Sequence, residues 1–180
     1  QRPAQFFTAQ PGWTATVVVE PLATTTAQAA IVLEADLTTS LLRTGEEWVR
    51  AVYRLHNRSL QFLPVALPKG AQLVSVMVAG QPSRADVGEV NGLPVTLVPL
   101  IQTRPGDRSV EVSLVYRAAG PAPVRGVFER SLDDPDLPGL SVQQTLWSVQ
   151  LPDGFTLRHA RGPMTRVDAN SWDAEKWLGR

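Results

Sequence analysis

The sequence contains no cysteine, and this absence removes several kinds of chemistry. Without thiols the chain can form no disulfide bond, no thiolate metal site and no cysteine nucleophile. An imbalance of charge is also absent, since 17 Lys and Arg residues stand against 17 Asp and Glu residues. A chain of zero net charge has no electrostatic drive towards nucleic acid or an anionic membrane. No nucleic-acid partner is expected, and weak repulsion between copies would make self-association unsurprising.

Long apolar runs are missing too. No run approaches the roughly 18 residues that a membrane-spanning helix needs, so this segment is not expected to span a membrane. No segment long enough for a core helix carries apolar residues at helical spacing. Hydrophobic residues nevertheless make up 43% of the chain, which is ordinary for a protein that buries a core.

Short alternating runs are what the sequence has instead. Apolar and polar residues alternate with a period of two in the stretches 31–38, 48–56 and 110–117, and valine occupies every second position of 74–78. Both patterns are typical of half-buried antiparallel strands. Asn91-Gly92 is the strongest short hairpin signal in the chain, and it closes a polar stretch, 83–92, before a strand predicted at 93–100. The predicted fold class is all-β, an antiparallel β-sandwich that ends in a short C-terminal helical segment. A division into two packed β-subdomains stays open.

Four regions are predicted along the chain. Residues 1–12 are a flexible lead-in, residues 13–117 a β-sandwich domain, and residues 118–140 a linker or loop region rich in proline and aspartate. Residues 141–180 are a further β-hairpin followed by a short helix. This last region is expected either to pack on the first domain or to begin a second one.

Two features near the C-terminus bear on this division. The turn sequence Leu-Pro-x-Gly occurs at 67–70 and again at 151–154, each time between predicted strands. An internal duplication and a chance recurrence of a common turn are both consistent with it. Ser171 as an N-cap and Gly179 as a stop signal predict the terminal helix.

Residues that could carry chemistry are few. His56 and His159 are the only histidines; neither lies in a metal or catalytic signature, and arginines flank both. Asp133, Asp134 and Asp136 could supply oxygen ligands to calcium, but the EF-hand order is missing, which favours a solvated loop. Motifs of nucleotide-binding loops, serine hydrolases and zinc peptidases are absent. We predict no catalytic, cofactor-binding or metal-binding residue, no cofactor, and a protein that is not an enzyme.

Asn57-Arg58-Ser59 reads as a glycosylation sequon, and equally as a turn at the end of a strand. Among the five tryptophans, Trp147 is predicted to lie in the core. The others lie near predicted strand ends or in the C-terminal tail: Trp13, Trp48, Trp172 and Trp177. Exposed aromatic rings can stack on sugars or hold a partner domain. The default expectation is packing in the core or between domains.

The strand predicted at 48–56 has one dry face and one outward face. The outward face aligns Trp48, Arg50, Arg54 and His56. We predict this row to be a contact surface for a neighbouring domain of the same chain or for a protein partner. Carbohydrate binding through exposed tryptophans is the alternative.

A resemblance supports this interpretation. The pattern Y-R-L-x-N-R-x-x-Q-F-L-x-V-x-L-P-x-G-A-x-L-x-S-V-x-V-x-G-x-P at 53–82, with V-E-V-S-L-V-Y at 110–116 and W-S-V-Q-L-P-D-G-F at 147–155, resembles β-rich regions of large multidomain exported or surface bacterial proteins. Such regions are similar in style to macroglobulin-like and other sandwich modules. The resemblance covers residues 45–160 and implies a noncatalytic, extracytoplasmic module, periplasmic or on the cell surface, cut from a longer chain.

Overall fold

The computed structural model describes residues 28–103, 109–122 and 128–167. The predicted lead-in, residues 13–27 of the predicted sandwich and the predicted C-terminal helix lie outside these ranges. The described residues form nine strands: β1 Ala30–Leu41, β2 Glu47–Asn57, β3 Phe62–Val65, β4 Gln72–Val78, β5 Gln81–Pro82, β6 Asp86–Val90, β7 Leu93–Pro99, β8 Val110–Ala118 and β9 Thr145–Gln150.

The strands build two sheets. A large sheet of six strands has the order β5-β4-β8-β2-β1-β9, and a small sheet of three strands has the order β3-β7-β6. The neighbouring pairs are antiparallel except for β1 and β9, which run parallel. The all-β sandwich predicted from alternation is confirmed, and the parallel pair makes its large sheet a mixed one.

Strand β2 lies inside the large sheet and shows a period-two pattern of burial. Val49, Ala51, Tyr53 and Leu55 are all buried on one face, while the residues between them point to the other face. Adjacent strands β1 and β8 repeat this pattern in register with β2. The core face predicted for this strand is therefore confirmed.

The core lies between the two sheets. Leu63, Val65 and Val98 of the small sheet are fully buried, and they belong to one cluster with Leu55 and Leu114 of the large sheet. Burying side chains of this size stabilises a fold by roughly 1.5–3 kcal/mol each relative to leaving them exposed. This shared cluster holds the two layers together.

The hairpin predicted at Asn91-Gly92 is present. Asn91 has a φ of 52° and Gly92 a φ of 80°, the left-handed pair that a type I′ turn requires. The turn joins β6 to β7, and Val90 pairs with Leu93 across it. Asparagine and glycine accept positive φ at low cost, so this turn was readable from two residues.

The C-terminal region departs from the prediction. It contains the strand β9, but residues 155–160 form no strand, so the predicted second half of the hairpin is absent. The turn at Gly154 directs the chain away from β9, and the carbonyl of Asp153 accepts a hydrogen bond from Arg43 instead. Leu-Pro-x-Gly at 67–70 joins strands of different sheets. Neither copy of this turn closes a hairpin, so the structure gives the duplication no support.

The region predicted as a linker packs against the sandwich where it is described. Leu137 is buried in the core, and the backbone of Asp136 pairs with that of Ala66 at the end of β3. The Arg130 side chain is buried, and its Nη2 donates to Glu47 Oε2 at 2.9 Å. How the whole chain divides into domains stays a prediction.

Candidate functional site

The predicted contact row lies together on the outer face of the large sheet. Trp48, Arg50, Arg54 and His56 share the outward face of β2, the strand between β1 and β8. Arg50 is exposed, and the other three are half-buried. Pairing with β8 is continuous along the row, and pairing with β1 shifts register between Val32 and Glu34, next to Arg54. The four residues share one face, and their role in contact stays a prediction.

Arg54 is committed to the sheet itself. Its Nη1 donates to Glu34 Oε1 on β1 at 2.8 Å, and its Nε lies 3.5 Å from Glu111 Oε2 on β8. The hydrogen bond that Arg54 donates to Glu34 is the main reason that the pKa of Arg54 is raised above its ordinary value. One guanidinium thus bridges carboxylates on both neighbouring strands, which leaves Arg54 less able to bind a partner.

Arg50, unlike Arg54, has no charged residue opposite it on the neighbouring strands. Its cross-strand neighbours are Thr38 on β1 and Val115 on β8, neither of which is charged. Within the described ranges it has no hydrogen-bond or ion-pair partner. The next cation along this face, Arg117, donates to Gln72 Oε1 at 3.1 Å and lies 4.0 Å from Glu46. Of the predicted row, Arg50 is the charge best placed to meet another molecule.

A second surface, which the sequence reasoning missed, lies on the outer face of the small sheet. The residues that alternate away from the core on its three strands are almost all apolar. We call the following residues the apolar face: Phe62, Pro64, Val90, Leu93, Leu97 and Pro99. Val95 alternates with them on β7 but is buried, at 3% exposure. Gly88 and Asp86 complete the β6 row, so one charged residue lies at its margin.

The apolar face is built by pairing across three strands. Phe62 lies opposite Pro99, Pro64 lies opposite Leu97, and Val90 lies opposite Leu93. The Leu97 side chain covers Gly88, where an added Cβ would lie 2.5 Å from Leu97 Cδ1. Glycine at that position lets Leu97 lie flat across β6. Phe62 is 38% exposed and Leu93 is 50% exposed, so part of this surface is open.

A signal for this face existed in the sequence. The runs Phe62–Leu67 and Leu93–Leu100 are apolar at nearly every position instead of at every second one. Strands with that composition are usually covered on both faces. Prolines in both runs are more typical of edge strands than of covered ones. Pro64 lies in the edge strand β3.

The groups considered for chemistry do not assemble a site in the described ranges. No cluster of three His, Asp or Glu residues there could hold a metal ion. Asp133, Asp134 and Asp136 are all exposed to solvent. His159 accepts a hydrogen bond at Nε2 from Arg161 at 3.0 Å, and His56 lies in the row on β2.

The side chain of Asn57 connects the end of β2 to two neighbouring segments by hydrogen bonds. It is fully buried, and its Nδ2 donates to the carbonyls of Leu60 and Ile101 at 2.9 and 3.0 Å. Its Oδ1 accepts from the Leu60 amide at 2.9 Å. Both amide hydrogens are used, so a glycan cannot attach to this side chain in the folded protein. The turn interpretation of the sequon is the correct one.

Two buried tyrosines lie beneath the large sheet. The hydroxyl groups of Tyr53 and Tyr116 are inaccessible and have no hydrogen-bond partner among the described residues. Burial is the main cause that raises the pKa of both phenols well above the ordinary value. A phenol held in its neutral form inside a core is a packing group and not a proton-transfer group.

The two tryptophans within the described ranges lie on opposite faces of the large sheet. Trp48 pairs with Ser40 on the outer side, while Trp147 pairs with the buried Leu37. The Trp147 indole donates from Nε1 to Thr39 Oγ1 at 2.9 Å. These two rings cannot form one stacking platform for a sugar. Trp13, Trp172 and Trp177 lie outside the described residues.

Within residues 28–103, 109–122 and 128–167, no helix has the length and apolar character needed to cross a bilayer.

Comparison with known proteins returned no matching family model and no matching curated protein. Among solved structures, the chain is similar to an M1 zinc metallopeptidase from Deinococcus radiodurans, with 21% identity and a TM-score of 0.40. The match covers 51% of this chain and 21% of that one. Native yeast LTA4 hydrolase matches with 10% identity and a TM-score of 0.42, over 52% of this chain and 15% of the hydrolase. The chain therefore spans about a fifth or less of the solved proteins it matches, and similarity at this level assigns no family.

Proposed function

We propose that this protein is a noncatalytic β-sandwich module of a larger extracytoplasmic bacterial protein, and that it holds a neighbouring domain or a protein partner against its sheets. The observation that carries the proposal is the apolar face of the small sheet. Contiguous apolar surface of this kind on a soluble protein marks an interaction site. The extracytoplasmic location rests on the sequence resemblance of residues 45–160.

The apolar face has the composition of an interface centre. Phe62 and Leu93 supply large exposed side chains, and Pro64 and Pro99 supply rigid ones that lose no rotamer freedom on binding. Covering exposed apolar area contributes about 25 cal/mol per Å². A partner that buries Phe62 and Leu93 therefore gains free energy without having to neutralise a charge.

The contact row on β2 lies on the other sheet and offers charged groups, whereas the apolar face offers apolar area. Arg54 is already bridged by Glu34 and Glu111, so it contributes little to a new contact. Arg50 is exposed and can pair with a carboxylate on another molecule. Exposed charges of this kind change association rates and specificity more than affinity. Because the core lies between the two sheets, their outer faces point in opposite directions. The contact row would therefore meet a second neighbour and not the partner on the apolar face.

A pair of double variants tests the proposal. Phe62→Ser with Leu93→Ser removes the exposed side chains of the apolar face, and Val74→Ser with Met77→Ser removes comparably exposed side chains from β4 of the large sheet. We expect the first variant to lose most of the fluorescence of bound anilinonaphthalene sulfonate. It should also lose at least about tenfold in affinity for the adjoining part of its own polypeptide, added separately.

The β4 variant should retain both signals, and circular dichroism should show both variants folded. Equal losses in the two variants would mean that the apolar face is not special. A wild-type protein that binds neither the dye nor the adjoining polypeptide would refute the proposed function.

A further inference from the structure

The two sheets have four edge strands, and three of them carry features that block pairing. Strand β5 has only the two residues Gln81 and Pro82 and pairs with Met77 and Val78 of β4. The part of β4 beyond β5 contains a register shift between Leu73 and Ser75, and β3 contains Pro64. Strand β6 carries the acidic residues Asp86 and Glu89 and the weakly strand-forming Gly88. Short length, proline and charge are the devices that keep sheet edges from pairing with other chains.

The fourth edge, β9, has none of these devices. Its six residues, Thr145–Gln150, include no charge, no proline and no glycine. Within the described ranges it pairs on one side only, with β1. Threonine, tryptophan and valine are strong strand formers. An uncharged regular edge of this kind is a template for another strand.

Strand β9 is also complementary to itself. Two copies that run antiparallel with Trp147 at the two-fold axis place Val149 of each copy opposite Thr145 of the other. Leu146 then lies opposite Ser148, so no charged residue meets another charge. Val149 is 43% exposed in the single chain. Cross-strand pairs of β-branched residues stabilise a sheet.

From this edge we propose that β9 is a homotypic interface, through which two copies of the chain join their large sheets into one continuous sheet. Zero net charge removes the general repulsion that would oppose such pairing. The surface is separate from the apolar face, so the two proposals can fail independently. Six residues of strand bury less than the roughly 800 Å² per partner of a stable complex, so the dimer is weak and reversible.

Engineered cysteines test the register, because the chain has no cysteine of its own. Thr145→Cys with Val149→Cys places two thiols about 13 Å apart within one strand, too far for a disulfide inside the chain. Pairing around Trp147 brings each thiol opposite its counterpart in the second copy. We expect mild oxidation to give a covalent dimer in high yield.

The matched control is Thr145→Cys alone. In the register around Trp147 the two copies of this thiol lie about 13 Å apart, too far for a disulfide, so this variant should remain a monomer after oxidation. Equal crosslinking of the two variants would show chance collision and would overturn the proposal.

Sedimentation equilibrium on the chain without cysteines gives the second test, over concentrations from about 10 µM to 1 mM. We expect a concentration-dependent dimer whose dissociation constant rises at least about tenfold in Val149→Lys, because a charge would then lie at the shared edge. The control Val87→Lys, at an exposed position of β6, should leave the constant unchanged.

Two results would overturn the proposal. A protein that is monomeric throughout this range, with no crosslink from the β9 cysteines, has an edge that either stays open or is covered by its own chain. A dimer that Val149→Lys leaves intact, while circular dichroism shows a folded variant, uses another surface.

Discussion

The outer face of the large sheet carries polar side chains that pair with one another, whereas the outer face of the small sheet exposes apolar side chains to water. On the large sheet, Arg54 bridges Glu34 and Glu111, and Arg117 donates to Gln72. These contacts complete the face within the chain. On the small sheet, Phe62 and Leu93 are exposed and leave apolar surface in water. The large sheet therefore satisfies the polar groups of its outer face through its own cross-strand pairs. The small sheet gains free energy when another surface covers its outer face.

The same core lies beneath both outer faces. The dependence of its stability on pH is the largest expected effect. Tyr53 and Tyr116 are the only tyrosines, and burial raises the pKa of both. Each phenol keeps its proton in the folded state above pH 10, whereas the unfolded chain loses it. Stability is therefore complete below the unfolded pKa of about 10 and falls by about 1.4 kcal/mol per pH unit and per tyrosine above it.

Urea unfolding between pH 8 and 11.5 measures this slope, and the absorbance of phenolate reports ionisation directly. We expect ionisation to coincide with unfolding, and Tyr53→Phe to remove about half of the slope. Phenolate absorbance that appears near pH 10 while the protein is still folded would show that the tyrosines are accessible.

The two faces of β3 give the next largest contrast. Leu63 points into the core and is fully buried, while its neighbour Phe62 lies on the apolar face. We expect Leu63→Ala to lower the free energy of unfolding by about 2–5 kcal/mol, because it leaves a cavity. Phe62→Ala should cost less than about 1 kcal/mol in the isolated protein, since its side chain is partly solvated already.

Thermal or urea unfolding of the two variants checks this contrast. Equal losses would mean that Phe62 is packed within the chain, and the apolar face would then lose its exposed centre.

Charge reversal on β2 gives the smallest contrast and refines the contact row. Arg54→Glu would place a third carboxylate between Glu34 and Glu111, and we expect a loss of about 1–2 kcal/mol after allowance for solvent screening. Arg50→Glu should change stability by less than about 0.5 kcal/mol, because Arg50 has uncharged cross-strand neighbours.

Urea unfolding at low and high salt distinguishes the two variants. The loss for Arg54→Glu should shrink at 1 M salt, where the Debye length is about 3 Å. A large loss for Arg50→Glu would show that its side chain is packed and not exposed. Because the two arginines differ in this way, only Arg50→Glu is a clean probe of partner contact.

Local patterns anticipated much of this structure. The alternation of β2 and β8 predicted which residues face the core, and Asn91-Gly92 predicted the hairpin between β6 and β7. The contact row was predicted as an aligned set on one outward face, which the structure shows. Each of these predictions depends on side chains within a few residues of one another, where the geometry of a strand or turn decides the outcome.

Features that join distant residues were not anticipated. The bridge from Arg54 to Glu34 and Glu111 depends on which strands become neighbours. The alternation of residues within one strand does not predict strand order. The buried pair of Glu47 and Arg130 joins residues 83 positions apart. The absent hairpin after β9 has the same origin. Its turn carries the right residues, but Phe155 packs against Phe128, with ring centroids 5.5 Å apart, instead of pairing with β9.

By itself, the sequence determined the fold class, the core faces of the main strands, the hairpin turn and the lack of recognisable catalytic chemistry. These follow from period-two patterning and turn propensities, which act over short distances. Long-range packing set three further features. Arg54 is bridged by two carboxylates while Arg50 has no partner among the described residues, Asn57 is buried and hydrogen-bonded, and the small sheet turns an apolar face outward. Those outcomes depend on which strands pair and which faces a second sheet covers, and that is settled when the layers pack.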